Sequence, residues 1–218
     1  MEDKKIEELK ELVASCMDLA PRRYPKGSAA VLIPLVLEKD GLKILYELRS
    51  SKLTVQPAEV CFPGGGIEKD ETPEQAAIRE TCEELLIGED QIEIVAPMEV
   101  TIGPSGAPLW PFVGILHDYQ GTYSTDEVEK TFTLSYDWLL HHRPERHMTN
   151  LVTEPGADFP YDLIPGGESY HWRKKRYDIL FYRETNPQLW GVTARLTDRF
   201  MHKMAPKANQ VLELFKNE

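Results

Sequence analysis

Three glutamates, Glu80, Glu83 and Glu84, stand at i, i+3 and i+4 in a segment whose two ends read as those of a helix, and this spacing constrains the chain more than any other feature. Thr72 suits an N-cap, Pro73 the first helical position, and Gln75 completes a capping box. Gly88 reads as the stop. At roughly 100° per residue, Ile78, Thr81, Cys82 and Leu85 gather on one face, and the glutamates gather opposite. One face is built to be buried and the other to hold charge. Clustered carboxylates repel unless a cation sits among them. Hard divalent ions take oxygen ligands, so a Mg²⁺ or Mn²⁺ site is the simplest resolution. An E-x-x-E-E run alone is ordinarily a solvated acidic face. Here the loop Phe62-Pro63-Gly64-Gly65-Gly66 precedes it, with Glu71 and Arg79 at fixed offsets, and glycines let backbone groups approach a metal or phosphate closely.

A chain of 218 residues with 41% apolar residues supports one large domain with a sizeable core. No stretch approaches the roughly 20 apolar residues of a membrane helix. The charged start Met1-Glu2-Asp3-Lys4-Lys5 lacks the pattern of a secretory signal. Cys16, Cys61 and Cys82 are odd in number and widely spaced, and read as free thiols of a reducing cytoplasm. A net charge of −11 argues against nucleic-acid binding, while a local basic patch still admits a small anionic substrate. Arg173-Lys174-Lys175-Arg176 is the densest basic run, and solvated chain is its simplest reading.

Residues 3 to 19 read as a helix ended by Pro21 and Pro25. Ala29 to Leu37 and Leu42 to Leu48 suggest a hairpin across Lys39-Asp40-Gly41. After the glycine loop and acidic helix, strands are expected over Gln91 to Val100, Leu109 to His117, Glu127 to Leu134 and Arg176 to Tyr182. A short helix is expected over Tyr136 to His142, brief strands within 143 to 175, and helices over Gln188 to Met204 and Lys207 to Asn217. Strands and helices without regular βα alternation suggest α+β layers. Trp110, Phe112, Trp138 and the Trp190 to Arg195 run read as core.

Residues 65 to 87 resemble the Nudix box, G-x5-E-x7-R-E-U-x-E-E-x-G-U with U apolar. Gly65, Glu71, Arg79, Glu80, Glu83, Glu84 and Ile87 match. Thr81 replaces an apolar residue and is expected to pack its methyl. Leu86 replaces the last glycine and is expected to shift the helix exit towards Gly88. The likeness extends over roughly residues 28 to 204. Ile44-Leu45 and Arg49-Ser50 precede Phe62-Pro63-Gly64-Gly65 much as in coenzyme A pyrophosphatases, whose pattern is L-L-T-x-R-[SA]-x3-R-x3-G-x3-F-P-G-G. Thr54 stands at that pattern's second arginine and Ala58 at its glycine. Pro104-Ser105-Gly106, Pro111-Phe112-Val113-Gly114, Asp126-Glu127-Val128 and Leu189 to Arg195 are similar to later segments of the subfamily.

The resemblance implies a Nudix-type α/β/α sandwich, a mixed β-sheet flanked by helices. Residues 1–27 would be a helical extension and 28–218 the domain, including its C-terminal helices. It implies Mg²⁺ or Mn²⁺ held by Glu80, Glu83 and Glu84, with Glu127 as a further ligand from outside the box. Arg79 would orient a glutamate and pair with Glu71, completing a catalytic set of Glu80, Glu83, Glu84 and Arg79. Arg49, Ser50, Gly64 and Gly65 would bind substrate, and Gly65 could also offer its carbonyl to the metal. The implied reaction splits coenzyme A or acyl-coenzyme A into phosphopantetheine and adenosine 3′,5′-bisphosphate. ADP-ribose or another nucleoside diphosphate derivative, and a non-catalytic nucleotide sensor, stay open. So does the identity of the base. Arg49, Lys52 and the 173–176 run would supply charge for a 3′-phosphate, and Tyr161, Tyr170 and Trp172 would line the pantetheine arm. A small nucleotide substrate is the expected partner, without nucleic acid or membrane, and a homodimer stands as an expectation.

Overall fold

The computed structural model describes residues 2–17, 27–103 and 106–215. Leu19, Pro21, Pro25, Pro104, Ser105 and Asn217, used in the sequence reading, lie outside them. Helix α1 spans Glu2–Cys16. The hairpin β1 (Ala29–Glu38) and β2 (Gly41–Arg49) follows, turning at Lys39 and Asp40. Two short strands, β3 (Val60–Cys61) and β4 (Gly64–Gly66), lead to helix α2 (Pro73–Leu85). Then come β5 (Ile92–Pro97), β6 (Thr101–Ile102), β7 (Pro108–Leu116), β8 (Val128–Ser135), α3 (Tyr136–His141) and β9 (Glu145–Leu151). The chain closes with β10 (Lys175–Tyr182), β11 (Leu189–Trp190), α4 (Gly191–Met204) and α5 (Ala208–Leu214).

The main sheet runs β3-β2-β1-β7-β5, with β4 on β1, β6 on β7 and β8 on β2. It is mixed: β1 and β7 are parallel and its other pairs antiparallel. A second sheet orders β11-β10-β9. Alternation along β1 and β2 sorts side chains between two cores. Ala30, Leu32 and Leu45 meet Ala76, Ala77 and Leu85 of α2. Ile33, Leu35, Ile44 and Tyr46 meet Leu9 and Val13 of α1, Phe200 and Met204 of α4, and Val211 of α5. Helices thus cover both faces, the α/β/α sandwich expected. Among the described residues no helix is long and apolar enough to cross a membrane.

Three boundaries differ from the sequence reading. Helix α4 starts at Gly191 rather than Gln188, because Leu189 and Trp190 pair with Tyr182 and Phe181 in extended backbone. Residues 145–151 form a full strand against β10, which their polar composition hid. The acidic helix ends at Leu86, not Gly88. Leu86 itself takes the left-handed C-cap (φ 54°, ψ 49°) and its N–H donates to the Cys82 carbonyl, while Gly88 is extended. Trp110 and Phe112 are core, as expected, while Trp138 and Trp190 are half-buried, stacking on His142 and Phe181.

Candidate active site

Helix α2 is fixed at its start by the expected capping box. Gln75 N–H donates to Thr72 Oγ1 (3.2 Å), and Thr72 N–H to Gln75 Oε1 (2.9 Å). One helical turn on, Arg79 gathers the acidic residues around it. Its Nε donates to Glu71 Oε1 at 2.9 Å, and one terminal nitrogen to Glu71 Oε2 and the Gly66 carbonyl, both at 3.1 Å. The other reaches Glu80 Oε1 at 2.9 Å and Glu83 Oε2 at 3.4 Å. This bidentate grip holds the Glu71 carboxyl below the usual range.

The buried face of α2 is rotated from the one expected. Pro73, Ala76, Ala77, Thr81, Glu84 and Leu85 are buried, while Ile78 and Cys82 are only half-buried. Thr81 is fully buried as expected, and its hydroxyl donates to the Ala77 carbonyl at 2.6 Å. Glu84 therefore lies under the helix, 3% exposed, and accepts the Gly64 N–H at 2.8 Å. Burial pushes its carboxyl up to about 7 against that N–H, with repulsion from Glu80 and Glu127 adding to the rise. Glu80 is raised too, by burial first, with Arg79 opposing and Glu83 and Glu127 reinforcing. Glu83 differs: its side chain is 60% exposed and leans on Arg79.

Two glycines make this arrangement sterically possible. Gly64 sits at φ +147°, and a Cβ there would overlap the Ala30 carbonyl. A Cβ on Gly65 would strike the Glu80 carboxyl. Gly64–Gly66 also line a cavity of about 550 Å³ on the far side of the loop. Its walls include Val31, Phe62, Leu109, Val192 and Leu196, with Arg49 among the polar groups. Arg49 has a buried Nε without a hydrogen bond and favours the charged forms of Glu47 and Glu84. Ser50 is buried outside that lining, and its N–H ties the Glu127 carbonyl at 2.8 Å. Ala58, at the position where the pattern carries glycine, has φ 57°, so that glycine answers a backbone demand.

Two expected contributors lie elsewhere. Arg173 to Arg176 are exposed, with Lys175 and Arg176 in the second sheet and Arg176 Nε against Met148 Sδ (2.7 Å). Tyr161, Tyr170 and Trp172 are not in the cavity lining. They meet Phe159 or one another edge to face, packing their own loop.

One acidic residue escaped the sequence reading. Glu47 sits on β2 two residues after Leu45, so it points to the α2 side, and it is 0% exposed. Burial holds its carboxyl well above the usual range, and the adjacent Glu84 carboxyl raises it further. The signal was available as the single acid inside the apolar run Ile44 to Leu48.

Among the described residues, no three His, Cys, Asp or Glu side chains stand together so that they could hold a metal ion as they are oriented. Glu80 and Glu83 are turned to Arg79, and Glu84 to Gly64. The donor set nevertheless fits a hard divalent cation. It is all oxygen, and its carboxylates raise one another by repulsion, Glu80 and Glu127 acting on Glu84 and Glu83 and Glu127 on Glu80.

The fold and site define a class in which a glycine loop and an acidic helix handle a charged small molecule. A NUDIX domain matches residues 27–152, and the chain belongs to the Nudix hydrolase family. It is 35% identical over 132 residues to a peroxisomal coenzyme A diphosphatase of Mus musculus, covering 60% of this chain and 55% of that protein. It is 32% identical over 213 residues to Nudix hydrolase 3 of Caenorhabditis elegans, covering 94% and 86%. A mitochondrial coenzyme A diphosphatase of Homo sapiens is 29% identical over 193 residues, covering 86% of this chain and 74% of that protein.

Proposed function

We propose that the protein hydrolyses the diphosphate bond of coenzyme A or acyl-coenzyme A, giving phosphopantetheine and adenosine 3′,5′-bisphosphate. The observation that carries this reading is one glycine loop facing two ways. On one side it packs against Glu80 and Glu84. On the other it opens into the apolar cavity. Glu80, Glu84 and Glu127 would hold Mg²⁺ or Mn²⁺, with Glu83 the outermost candidate. A divalent cation bound there supplies neutralising charge to a diphosphate that otherwise repels a nucleophile.

The chain's own groups do the rest. Arg79 orients Glu80 and leaves substrate contact to others. The Gly64 N–H holds Glu84 in place. A carboxylate of the set takes the proton of the attacking water during in-line displacement at phosphorus. Arg49, with its buried Nε free of hydrogen bonds, is the cation placed for a phosphate. Val31, Phe62, Leu109, Val192 and Leu196 offer the apolar wall that a pantetheine arm requires. Three free cysteines support a reducing compartment, the cytoplasm in our reading.

The test is kcat/KM with Mn²⁺ for coenzyme A, dephospho-coenzyme A and ADP-ribose. Coenzyme A is expected to lead by about tenfold, the worth of one charged contact. ADP-ribose as the best substrate would replace the substrate assignment and keep the hydrolase. No turnover of any diphosphate would leave a nucleotide sensor.

A further inference from the structure

Glu47 has no place in the box or in the set above, yet its surroundings suit no structural purpose. It occupies the middle of an apolar strand, on the same face as Leu45. Its Oε2 takes the Cys61 thiol, a weak donor, at 3.8 Å. Its Oε1 is buried with no partner at all. The group pressed against it is another acid, the Glu84 carboxyl, within hydrogen-bonding reach. The charge of Arg49 favours the ionised forms of both acids, but its Nε is buried and unpaired, so that atom does not satisfy Glu47.

Two acids forced together out of water weaken a fold once both are ionised, unless a proton or a cation joins them. An apolar residue or a threonine would fill the position at less cost. Threonine is what the coenzyme A pyrophosphatase pattern carries two places before its first arginine, where this chain has Glu47.

We propose that Glu47 is a further member of the divalent-cation centre, a buried carboxylate that faces a cation held at Glu84 and adds its charge to the hold. The inference rests on the metal-dependent reading above. It makes the centre of this chain more acidic, by one strand residue, than the box alone describes.

Calorimetric titration of the full chain with Mn²⁺, without substrate and at one pH, tests it on wild type, Glu47→Gln and Glu47→Thr. Gln keeps the shape and removes the charge. Thr is the residue of the pattern and carries the test should Gln disturb folding. Both variants are expected to bind Mn²⁺ about tenfold or more weakly, the scale of losses from groups that support metal ligands. Both should melt in EDTA at or above the wild-type temperature, and Glu47→Asp should recover part of the affinity. Wild-type affinity within twofold in both Gln and Thr variants overturns the inference and leaves the hydrolase reading standing. A lower melting temperature in EDTA with unchanged affinity also overturns it, by making Glu47 structural. Absence of Mn²⁺ binding in the wild type removes both readings at once.

Discussion

The two halves of α2 present glutamates under opposite conditions. From Thr72 to Glu80 the helix supplies its own counter-charge: Arg79 grips Glu71 with two bonds and reaches Glu80 and Glu83 as well. From Thr81 to Leu86 only exposed Glu83 shares that arginine, at 3.4 Å, and Glu84 receives none. Glu84 is buried beside Glu47, and among the described residues no ion pair reaches either carboxyl. The first half has its charge largely balanced from within. The second stores repulsion that an external cation would relieve. Position along one helix thus separates carboxylates held by Arg79 from the buried one that has no such partner.

Glu84→Gln breaks the comparison most directly. Turnover with Mn²⁺ is expected to fall by about 10²–10⁴-fold, the contribution of a proton-handling group, with any loss of metal added. The melting temperature in EDTA should hold or rise, since one of two crowded acids becomes neutral. Retained kcat/KM, or a marked loss of metal-free stability, would give Glu84 the same status as the glutamates around Arg79.

The second test is the pH dependence of metal-free stability. Glu84 is raised to about 7 in the folded protein, and Glu47 is raised as well. A raised acid binds its proton more tightly when folded. Its contribution is full below the unfolded value near 4.5 and is lost as pH rises through about 7. From Glu84 alone this amounts to about 3 kcal/mol. Glu71, lowered by Arg79, contributes with the opposite sign: its share is present above about 4.5 and lost as pH falls through its folded value. Melting in EDTA is therefore expected to weaken from pH 5 to pH 8, and saturating Mn²⁺ should flatten the slope. A slope that rises with pH in EDTA would mean the inner pair is not strained.

Arg79→Lys sharpens the contrast from the other side. Lysine keeps the charge but cannot span both Glu71 oxygens while reaching Glu80. The Arg79 side chain is only 26% exposed, so the lost contacts are expected to cost about 1–2 kcal/mol of stability. Activity should fall about tenfold because Glu80 loses its anchor. Where Glu84→Gln costs activity alone, Arg79→Lys should cost both. Unfolding by denaturant, read beside kcat/KM, separates them.

The same division governs what the sequence made legible. Thr72, Pro73, Gln75, Glu71 and Arg79 act through neighbours at fixed helical offsets, so spacing alone announced them. Glu84 was legible as an acid but not as a buried one. Its burial depends on how α2 is rotated on the sheet, which the small residues Ala76 and Ala77 set by packing against Ala30 and Leu32. Glu47 lies 37 positions from Glu84, and only the strand's register brings the two together. The cavity was misplaced for a similar reason. Tyr161, Tyr170 and Trp172 are close in sequence and satisfy each other, whereas its walls come from β1, β3, β7 and α4.

Leu86→Gly is the smallest change and reaches the end of the second half. Leu86 holds the left-handed conformation that the box assigns to glycine, and its side chain is largely solvent-exposed. That conformation costs a residue with a Cβ about 1–2 kcal/mol, while glycine gives back about 0.4–1 kcal/mol of the gain through its freer unfolded chain. The net expectation is about 0.5–1 kcal/mol of added stability, or roughly 1–4 °C in Tm for a chain of this size. The exit is also stitched to the loop that carries Glu127. Thr122 Oγ1 donates to the Leu85 carbonyl at 2.6 Å, and Ser124 N–H to the Glu84 carbonyl at 2.7 Å. If the left-handed turn only ends the helix, Leu86→Gly gains stability and keeps kcat within twofold. A rise in Tm with a clear fall in kcat would show instead that a rigid, strained exit holds Glu127 in register with Glu80 and Glu84, and that this second half, too, builds part of the site.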